Sequence, residues 1–488
     1  MNKNYDLKEI FELLVSFEKD LSYLIYNSGN EAWPIVRMTL WRILINIRDE
    51  KKTAKNKSKL FYFHPFIKLM KNILLNIYNP INKFTKDIDN TEIIFFSRSI
   101  YLEKLSSGLL VDRIIDPIYE VTRSDKNTIK FYIDKLKSGQ LYFDSEKYSI
   151  NNLNILNLLN IIEISKLQNY SILLAKEFIK LNKLHFLEKE IISEVKKAVI
   201  LYFIAKNNTK SLFKKFKSLK KIFITSWYFS DMMGIIAAAR DIGVESIEIQ
   251  HGKQGKFQAA YSGWNKIPDN GFKNMPDKFW CWNKQSTINI LKSSPKRKNH
   301  IPFVGGYSWP KWYKNNVNII TPQKIKNNCI RLIFTMQVKQ GKTIIEPLDD
   351  GLLELLYKYD LINKNNNNNI DSFKLRIRLH PNSINSSIDY LKSRLKELYN
   401  SEILEITSKN KSCFYDDLQW STHHLTCFSS CSIEATLFNV RSAVYGIYAY
   451  EIYQEEIENK SLKYFEKLTY NNLNSWLNDN DNNIQRVN

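Results

Sequence analysis

The sequence has no apolar run long enough to cross a bilayer: its longest, such as residues 155–162 or 235–239, fall well short of the roughly 18 residues that a spanning helix needs. A secretory leader is not expected either, because residues 1–20 mix acids and bases at helical spacing, with no continuous apolar stretch and no small-residue cleavage site. Cysteine is sparse and odd in number: Cys281, Cys329, Cys413, Cys427 and Cys431 are spread over a long chain, the pattern of reduced thiols rather than of a disulfide framework. These absences together predict a cytoplasmic protein. Phosphate-loop signatures are missing too, both the Walker type and a strand-linked Gly-x-Gly-x-x-Gly. Cys427 and Cys431 near His423 and His424 do not have zinc spacing, since Cys427 falls in a strand reading, so no metal is expected. Acidic residues are in deficit, 50 against 71 Lys and Arg, for a formal net charge of +21. That balance favours polyanionic partners: nucleic acid, an anionic membrane surface, or acidic sugars and nucleotides. The lysines are dispersed and a Lys, Asn and Ile bias runs through the whole chain, so charge does not choose among them.

What is present is enough apolar material for more than one core. With 44% hydrophobic residues in 488, two domains plus an extension are expected. Residues 1–90 read as a helical N-terminal extension, with Leu7, Ile10, Phe11, Leu14, Phe17 and Leu21 recurring every three or four residues and a second stripe over 36–47. Residues 60–84, carrying Lys68, Lys71 and Lys83, read as a basic amphipathic helix; packing on the next domain is preferred over lying on an anionic membrane. Residues 91–308 form the first α/β domain. It opens on the apolar run 92–96, and it contains a βαβ unit built from a strand over 222–225, a helix over 230–241 and a strand over 246–250. Further strands are expected at 279–282 and 301–304. A polar stretch, 309–328, with Pro310 and Pro322, reads as a linker. A second α/β domain follows over 329–460, with strands at 330–335, 373–379, 403–406, 425–428 and 442–445. Residues 461–488 read as a terminal helix and tail. Strands alternating with helices predict parallel sheets, and the fold class is α/β with two Rossmann-like domains.

Three short segments carry candidate chemistry. In the strand that ends at Arg378-Leu379-His380-Pro381, Arg376, Arg378 and His380 share one face by the period of two, giving a cationic face with His380 at the carboxyl end. A histidine there can donate to a phosphate oxygen or protonate a leaving group; the plain alternative is a surface strand ending in a turn at Pro381. In Phe428-Ser429-Ser430-Cys431-Ser432-Ile433-Glu434, a strand gives way to a helix. One serine caps it, and the free N–H groups and hydroxyls of Ser429, Ser430 and Ser432 suit a phosphate, with Glu434 able to accept from ribose hydroxyls. Finally, Gln250-His251-Gly252 closes a strand of the first domain. His251 offers a base or a phosphate donor, while Gly252 either permits close approach of a ligand or simply takes a positive φ. Asp277 is a possible site carboxylate or a turn cap, with Asp231 behind it.

These residues resemble a known group, bacterial glycosyltransferases of the GT-B architecture that build capsule and lipopolysaccharide. The likeness rests on Ile249-Gln250-His251-Gly252, Pro276-Asp277, Phe303-Val304-Gly305, Leu379-His380-Pro381 and Phe428 through Ala435, and covers about 222–446. The His-Pro and Ser-Ser pair is similar to that of sialyltransferases, polysialyltransferases and Kdo transferases, and related patterns occur in teichoic-acid polymerases that use CDP-glycerol. The resemblance implies a GT-B-like fold with two domains facing across a cleft. It also implies a nucleotide-sugar donor, a CMP-sugar favoured, bound by Arg378, His380, Pro381, Ser429, Ser430, Ser432 and Glu434. A surface-polysaccharide or lipid-linked glycan acceptor would lie near Gln250, Gly252 and Gly305. Transfer would need no cofactor and no metal, and the basic charge would favour peripheral contact with the inner face of the membrane. One departure stands out: the acidic motif that supplies the base in sialyltransferase-like enzymes is not found in its usual place, since Asp349-Asp350-Gly351 lies in the second domain. The base is therefore open among His251, Asp277 and Asp231, with His380 as the acid-side group. A sugar-nucleotide epimerase of the same fold and a basic nucleic-acid-binding protein are the rival expectations; no compact basic-aromatic motif supports the second.

Overall fold

The computed structural model describes residues 7–27, 29–51, 88–105, 107–134, 139–147, 158–317, 329–337, 348–365, 373–380, 384–408 and 411–479. The expected amphipathic helix over 60–84, Pro381, the asparagine run over 366–369, the part of the expected linker over 318–328 and the tail beyond Asp479 lie outside the described residues. The chain divides into two compact units. The first comprises 1–102 and 112–308; the second comprises 103–111 and 309–488.

The first unit is built on a sheet of seven strands: β1 (Ile93–Ser97), β4 (Thr128–Tyr132), β5 (Glu146–Lys147), β6 (Lys221–Ile224), β7 (Glu245–Ile249), β8 (Lys278–Cys281) and β9 (Ile301–Val304). Two further short strands, β2 (Leu102–Lys104) and β3 (Leu110–Asp112), pair with each other and belong mostly to the second unit. The order in the large sheet is β5-β4-β1-β6-β7-β8-β9, and every neighbouring pair runs parallel. Parallel strands need crossover helices that cover both faces, which is why β1 is apolar and buried throughout rather than alternating. The helices Glu188–Phe213 and Ser230–Asp241 pack closely at Gly234, where a Cβ would come within 2.4 Å of the Tyr202 carbonyl oxygen.

The N-terminal helices are not an extension of this unit but part of its core. Ile10, Leu14 and Phe17 from the helix Leu7–Asp20, with Trp33, Val36 and Leu40 from the helix Ala32–Lys51, join one buried cluster with Ile94, Ile224 and Ile236. A buried ion pair ties the two helices to the segment after β7. Arg37 contacts the Glu18 carboxylate and donates to the carbonyls of Ala259 (3.2 Å), Ser262 (2.8 Å) and Gly263 (3.1 Å). Glu18 also accepts from Trp33 Nε1 (2.7 Å) and the Asn265 N–H (2.9 Å).

The second unit carries six parallel strands: β10 (Ile330–Thr335), β11 (Phe373–Arg378), β12 (Leu404–Thr407), β13 (His423–Thr426), β14 (Arg441–Tyr445) and β15 (Lys463–Phe465). Their order is β12-β11-β10-β13-β14-β15. Two expectations at its ends are corrected. The start of the expected linker is the helix Trp309–Asn316, whose Trp309 ring packs on Tyr415 at 5.2 Å between centroids. Its aromatics at helical spacing, Trp309, Trp312 and Tyr313, all buried, decide its fate rather than its prolines. Residues after 460 supply β15 and the helix Tyr470–Asn478, which buries Leu473, Trp476 and Leu477 in the core. The architecture is thus α/β with two Rossmann-like sheets, the parts of a GT-B-like fold.

Candidate functional site

In each sheet the chain builds outward in one direction and then returns to build in the other, and the reversal leaves a crevice at the carboxyl ends of the two strands on either side. In the first unit those strands are β1 and β6. β1 ends beside Arg98, β6 leads into Ser226 and Tyr228, and its neighbour β7 leads into Gln250 and His251. Ser226 turns the chain sharply from strand toward helix with φ 54°, the left-handed region that costs a non-glycine residue. The turn aims its Oγ at the Tyr101 hydroxyl and, 3.3 Å away, at His251 Nε2. The Tyr228 hydroxyl lies 3.1 Å from the same nitrogen. Burial, reinforced by the Arg113 and Arg98 guanidinium groups, pushes the imidazole down to about 3, so His251 is neutral at neutral pH. Arg98 is paired with Asp231 and lies over the Phe229 ring.

Gln250 and Gly252 have separate duties. Gln250 accepts the Trp282 N–H (2.7 Å) and donates to the Gly252 carbonyl (2.8 Å), bracketing the loop that carries His251 against the end of β8. Gly252 does not take a positive φ, and a Cβ built on it would meet nothing within 4 Å. The space beside it is open. Two other expected site residues turn out to hold the fold. Asp277 accepts from the Ser246 N–H (2.8 Å) and hydroxyl (2.7 Å) and is paired with Arg240; burial alone would raise its carboxyl, but these partners hold it below the ordinary range. Gly305 seats the Trp280 ring, which a Cβ would approach to 2.1 Å, and Trp280 Nε1 donates to the Gly306 carbonyl (2.8 Å).

In the second unit the reversal falls between β10 and β13. His380 follows β11 on one side of β10, and Ser429 follows β13 on the other, so the two expected phosphate groups stand at the carboxyl edge flanking one strand. Ser429 Oγ accepts the Cys431 N–H (3.3 Å); Ser430 occupies the N-cap position of the helix Cys431–Leu437 with no side-chain cap. The other members of the expected donor set are engaged within the unit. Arg376 and Arg378 do share a face, but Asp417 lies between them and bonds both, while Arg376 also pairs with Glu405 (2.7 Å). The cationic face is therefore neutralised, and Arg378, 7% exposed, also donates to the Ser412 carbonyl (3.2 Å). Ser432 is fully buried and donates to the Ser429 carbonyl (2.9 Å). Glu434 accepts from the Tyr415 hydroxyl (2.8 Å), tying its helix to the helix Phe414–Trp420.

Sequence reasoning did not single out Tyr101, Ser226, Tyr228 or Glu248. Glu248 left a signal, a charged residue between Ile247 and Ile249 of strand β7, and its side chain is fully buried. His423 and His424 are core residues: His424 bridges β10 and β14 through Thr335 Oγ1 (3.0 Å) and Ser442 Oγ (2.8 Å). None of the five cysteines is joined in a disulfide. Among the described residues no group of three His, Cys, Asp or Glu side chains is placed to hold a metal ion, and no helix is long and apolar enough to cross a membrane.

No protein-family profile matches the chain, and no curated protein sequence matches it either. Solved structures of similar shape include the S. aureus MnaA-UDP co-structure, at 11% identity and TM-score 0.45, covering 80% of this chain and 88% of the other. A Methanocaldococcus jannaschii UDP-GlcNAc 2-epimerase in complex with UDP-GlcNAc and UDP gives 9% identity and TM-score 0.45 over 80% and 93% of the two chains. The wall teichoic acid polymerase TagF gives 14% identity and TM-score 0.41 over 86% and 89%.

Proposed function

We propose that this chain is a glycosyltransferase of the GT-B type, moving a sugar from a nucleotide-sugar donor to a surface-polysaccharide or lipid-linked glycan. The observation that carries the reading is the placement of His251. A neutral imidazole, held by two hydroxyls, stands at the carboxyl edge of the first sheet beside its strand-order reversal, with open space at Gly252 next to it. Such a group can take the proton of an acceptor hydroxyl as the new glycosidic bond forms. In the second unit the donor phosphate would sit at the carboxyl edge of β11 and β13, with His380, Ser429 and Ser430 as its partners. Arg378, Ser432, Glu434, Asp277 and Gly305 support these edges from within their own units. Hydrogen bonds and the positive end of a helix suffice in principle to carry the charge that grows on the departing nucleotide, so the reading invokes no metal and no cofactor. A CMP-sugar is the favoured donor because His380-Pro381 and Ser429-Ser430 are similar to the pair in CMP-sugar enzymes. The excess of basic residues would hold the protein at an anionic inner membrane face, where lipid-linked acceptors are presented.

A thermal-shift screen against CMP-, CDP-, UDP-, GDP- and dTDP-sugars tests the donor half of the proposal. One class should stabilise the wild type and lose its effect in His380→Ala. No response in any class, or a response untouched by that substitution, overturns the donor assignment.

A further inference from the structure

Two buried polar atoms in the same corner of the first unit, Glu248 Oε2 and His251 Nδ1, make no well-formed hydrogen bond, with only the Ser226 N–H near the carboxyl and the Ile249 carbonyl near the imidazole as further backbone neighbours. The carboxyl of Glu248 is clamped through its other oxygen, which accepts the Tyr261 hydroxyl (2.9 Å) and the Trp227 N–H (3.3 Å). That same oxygen lies 3.8 Å from His251 Nδ1, and among the described residues no other basic side chain lies within 4 Å of the Glu248 carboxyl. Burying a carboxyl fully is costly unless a charged or hydrogen-bonded partner offsets it. Among the described residues, the group within reach that can take up a positive charge is the imidazole already placed at the site.

We propose that Glu248 is a positioning residue for His251, its carboxylate matching the charge that the imidazole gains at Nε2 and receiving the Nδ1–H hydrogen bond. The inference rests on the reading of His251 as the base. In that step the acceptor O–H bond breaks and an Nε2–H bond forms, the oxygen's electron pair forms the bond to the sugar carbon, and the bond from that carbon to the donor's phosphate oxygen breaks with its electron pair leaving on the nucleotide; nothing is oxidised or reduced. The surroundings make the match necessary. Arg98 and Arg113 face the imidazole and oppose a second positive charge, while Tyr101, Tyr228, Tyr261 and the Cys281 thiol around the pair supply no negative one. Burial pushes the Glu248 carboxyl up to about 8, so the resting pair is uncharged at neutral pH. The ionised fraction of Glu248 grows about tenfold between pH 7 and pH 9, and the basicity of His251 grows with it.

The test uses substrate-free full-length protein with isotope-labelled histidine, His251 being assigned with a His251→Asn variant. The His251 ring resonances should show an inflection near pH 8 that reports the ionisation of Glu248 and disappears in Glu248→Gln. Tyr261→Phe, which removes one donor to the carboxylate, should move the inflection upward by about half a unit or more. Absence of the inflection in the wild type, or its persistence in Glu248→Gln, overturns the proposal. Sugar transfer then separates the two ideas. If transfer is lost in His251→Asn and its alkaline rise is lost in Glu248→Gln, both stand. Full transfer by His251→Asn overturns the base and the catalytic use of Glu248 with it, leaving only the proton coupling. Transfer that needs His251 but keeps its alkaline rise in Glu248→Gln overturns the role of Glu248 alone.

Discussion

Replacing Arg37 by Met should unfold the first unit far more readily than its place in an N-terminal helix would imply. The guanidinium is fully buried, pairs with an equally buried Glu18, and donates to three carbonyls of the 259–263 segment. Removing one partner of a buried pair costs about 3–5 kcal/mol, because the remaining charge is left without compensation. Three orphaned carbonyls, each worth about 1 kcal/mol, push the loss toward the upper end of that range. Trp33 Nε1 and the Asn265 N–H still reach Glu18 and pull it back. The appropriate assay is a double-mutant cycle with Glu18→Gln, read by urea-dependent hydrogen exchange so that peptides of the first unit report separately from those of the second. A coupling energy of about 2 kcal/mol or more is expected, with faster exchange at 245–265 in each single variant. Coupling below about 0.5 kcal/mol would refute the argument that this pair fastens the His251 loop to the N-terminal helices.

Acid should destabilise the second unit more than the first. His251 and His300 in the first unit, and His423 and His424 in the second, are pushed down to about 3 by burial, while in the unfolded chain they bind protons near 6.5. The unfolded state therefore takes up more protons at these histidines as pH falls through that window, and the second unit loses up to about 2.7 kcal/mol per pH unit, whereas in the first the carboxyls of Glu248 and Asp116, raised to about 8 and about 6, take up protons in the folded state over the same window and offset most of the loss; urea midpoints at several pH values between about 7 and 5 check this. Asp417→Ala should cost the second unit about 3–5 kcal/mol, since it strands Arg376 and Arg378 together, whereas Glu405→Ala at the partly exposed end of the network should cost under about 1 kcal/mol; thermal melts of the two variants give the comparison. Gly305→Ala should cost about 1–3 kcal/mol and displace the Trp280 ring, visible as a change in near-ultraviolet circular dichroism.

Much of this arrangement was legible in the residues. The strand over 330–335 and the helix over 230–241 coincide with the structure, and most other strands shift by a residue or two, because apolar runs bounded by turn residues mark parallel strands well. The N-terminal helices were recognised as helices, yet their destination was not, since an apolar stripe does not say which core it joins. The reading of Arg378 failed for a related reason. Period-two spacing correctly placed Arg376 and Arg378 on one face, but the anion that faces them is Asp417, which arrives from a helix some forty residues on. Asp277 and Glu434 carried plausible chemistry as isolated letters, and only the fold reveals the hydrogen bonds that occupy them. The hydroxyls around His251 come from three separate segments, so no local pattern could assemble them.

The most direct test is transfer from the donor identified by thermal shift to a glycan acceptor, compared between the wild type and His251→Asn and run with and without acceptor. The account predicts that product forms only when acceptor is present and that His251→Asn, with donor binding intact, lowers the rate by about a hundredfold or more. Turnover of the donor with no acceptor, or transfer by His251→Asn at the wild-type rate, would contradict it.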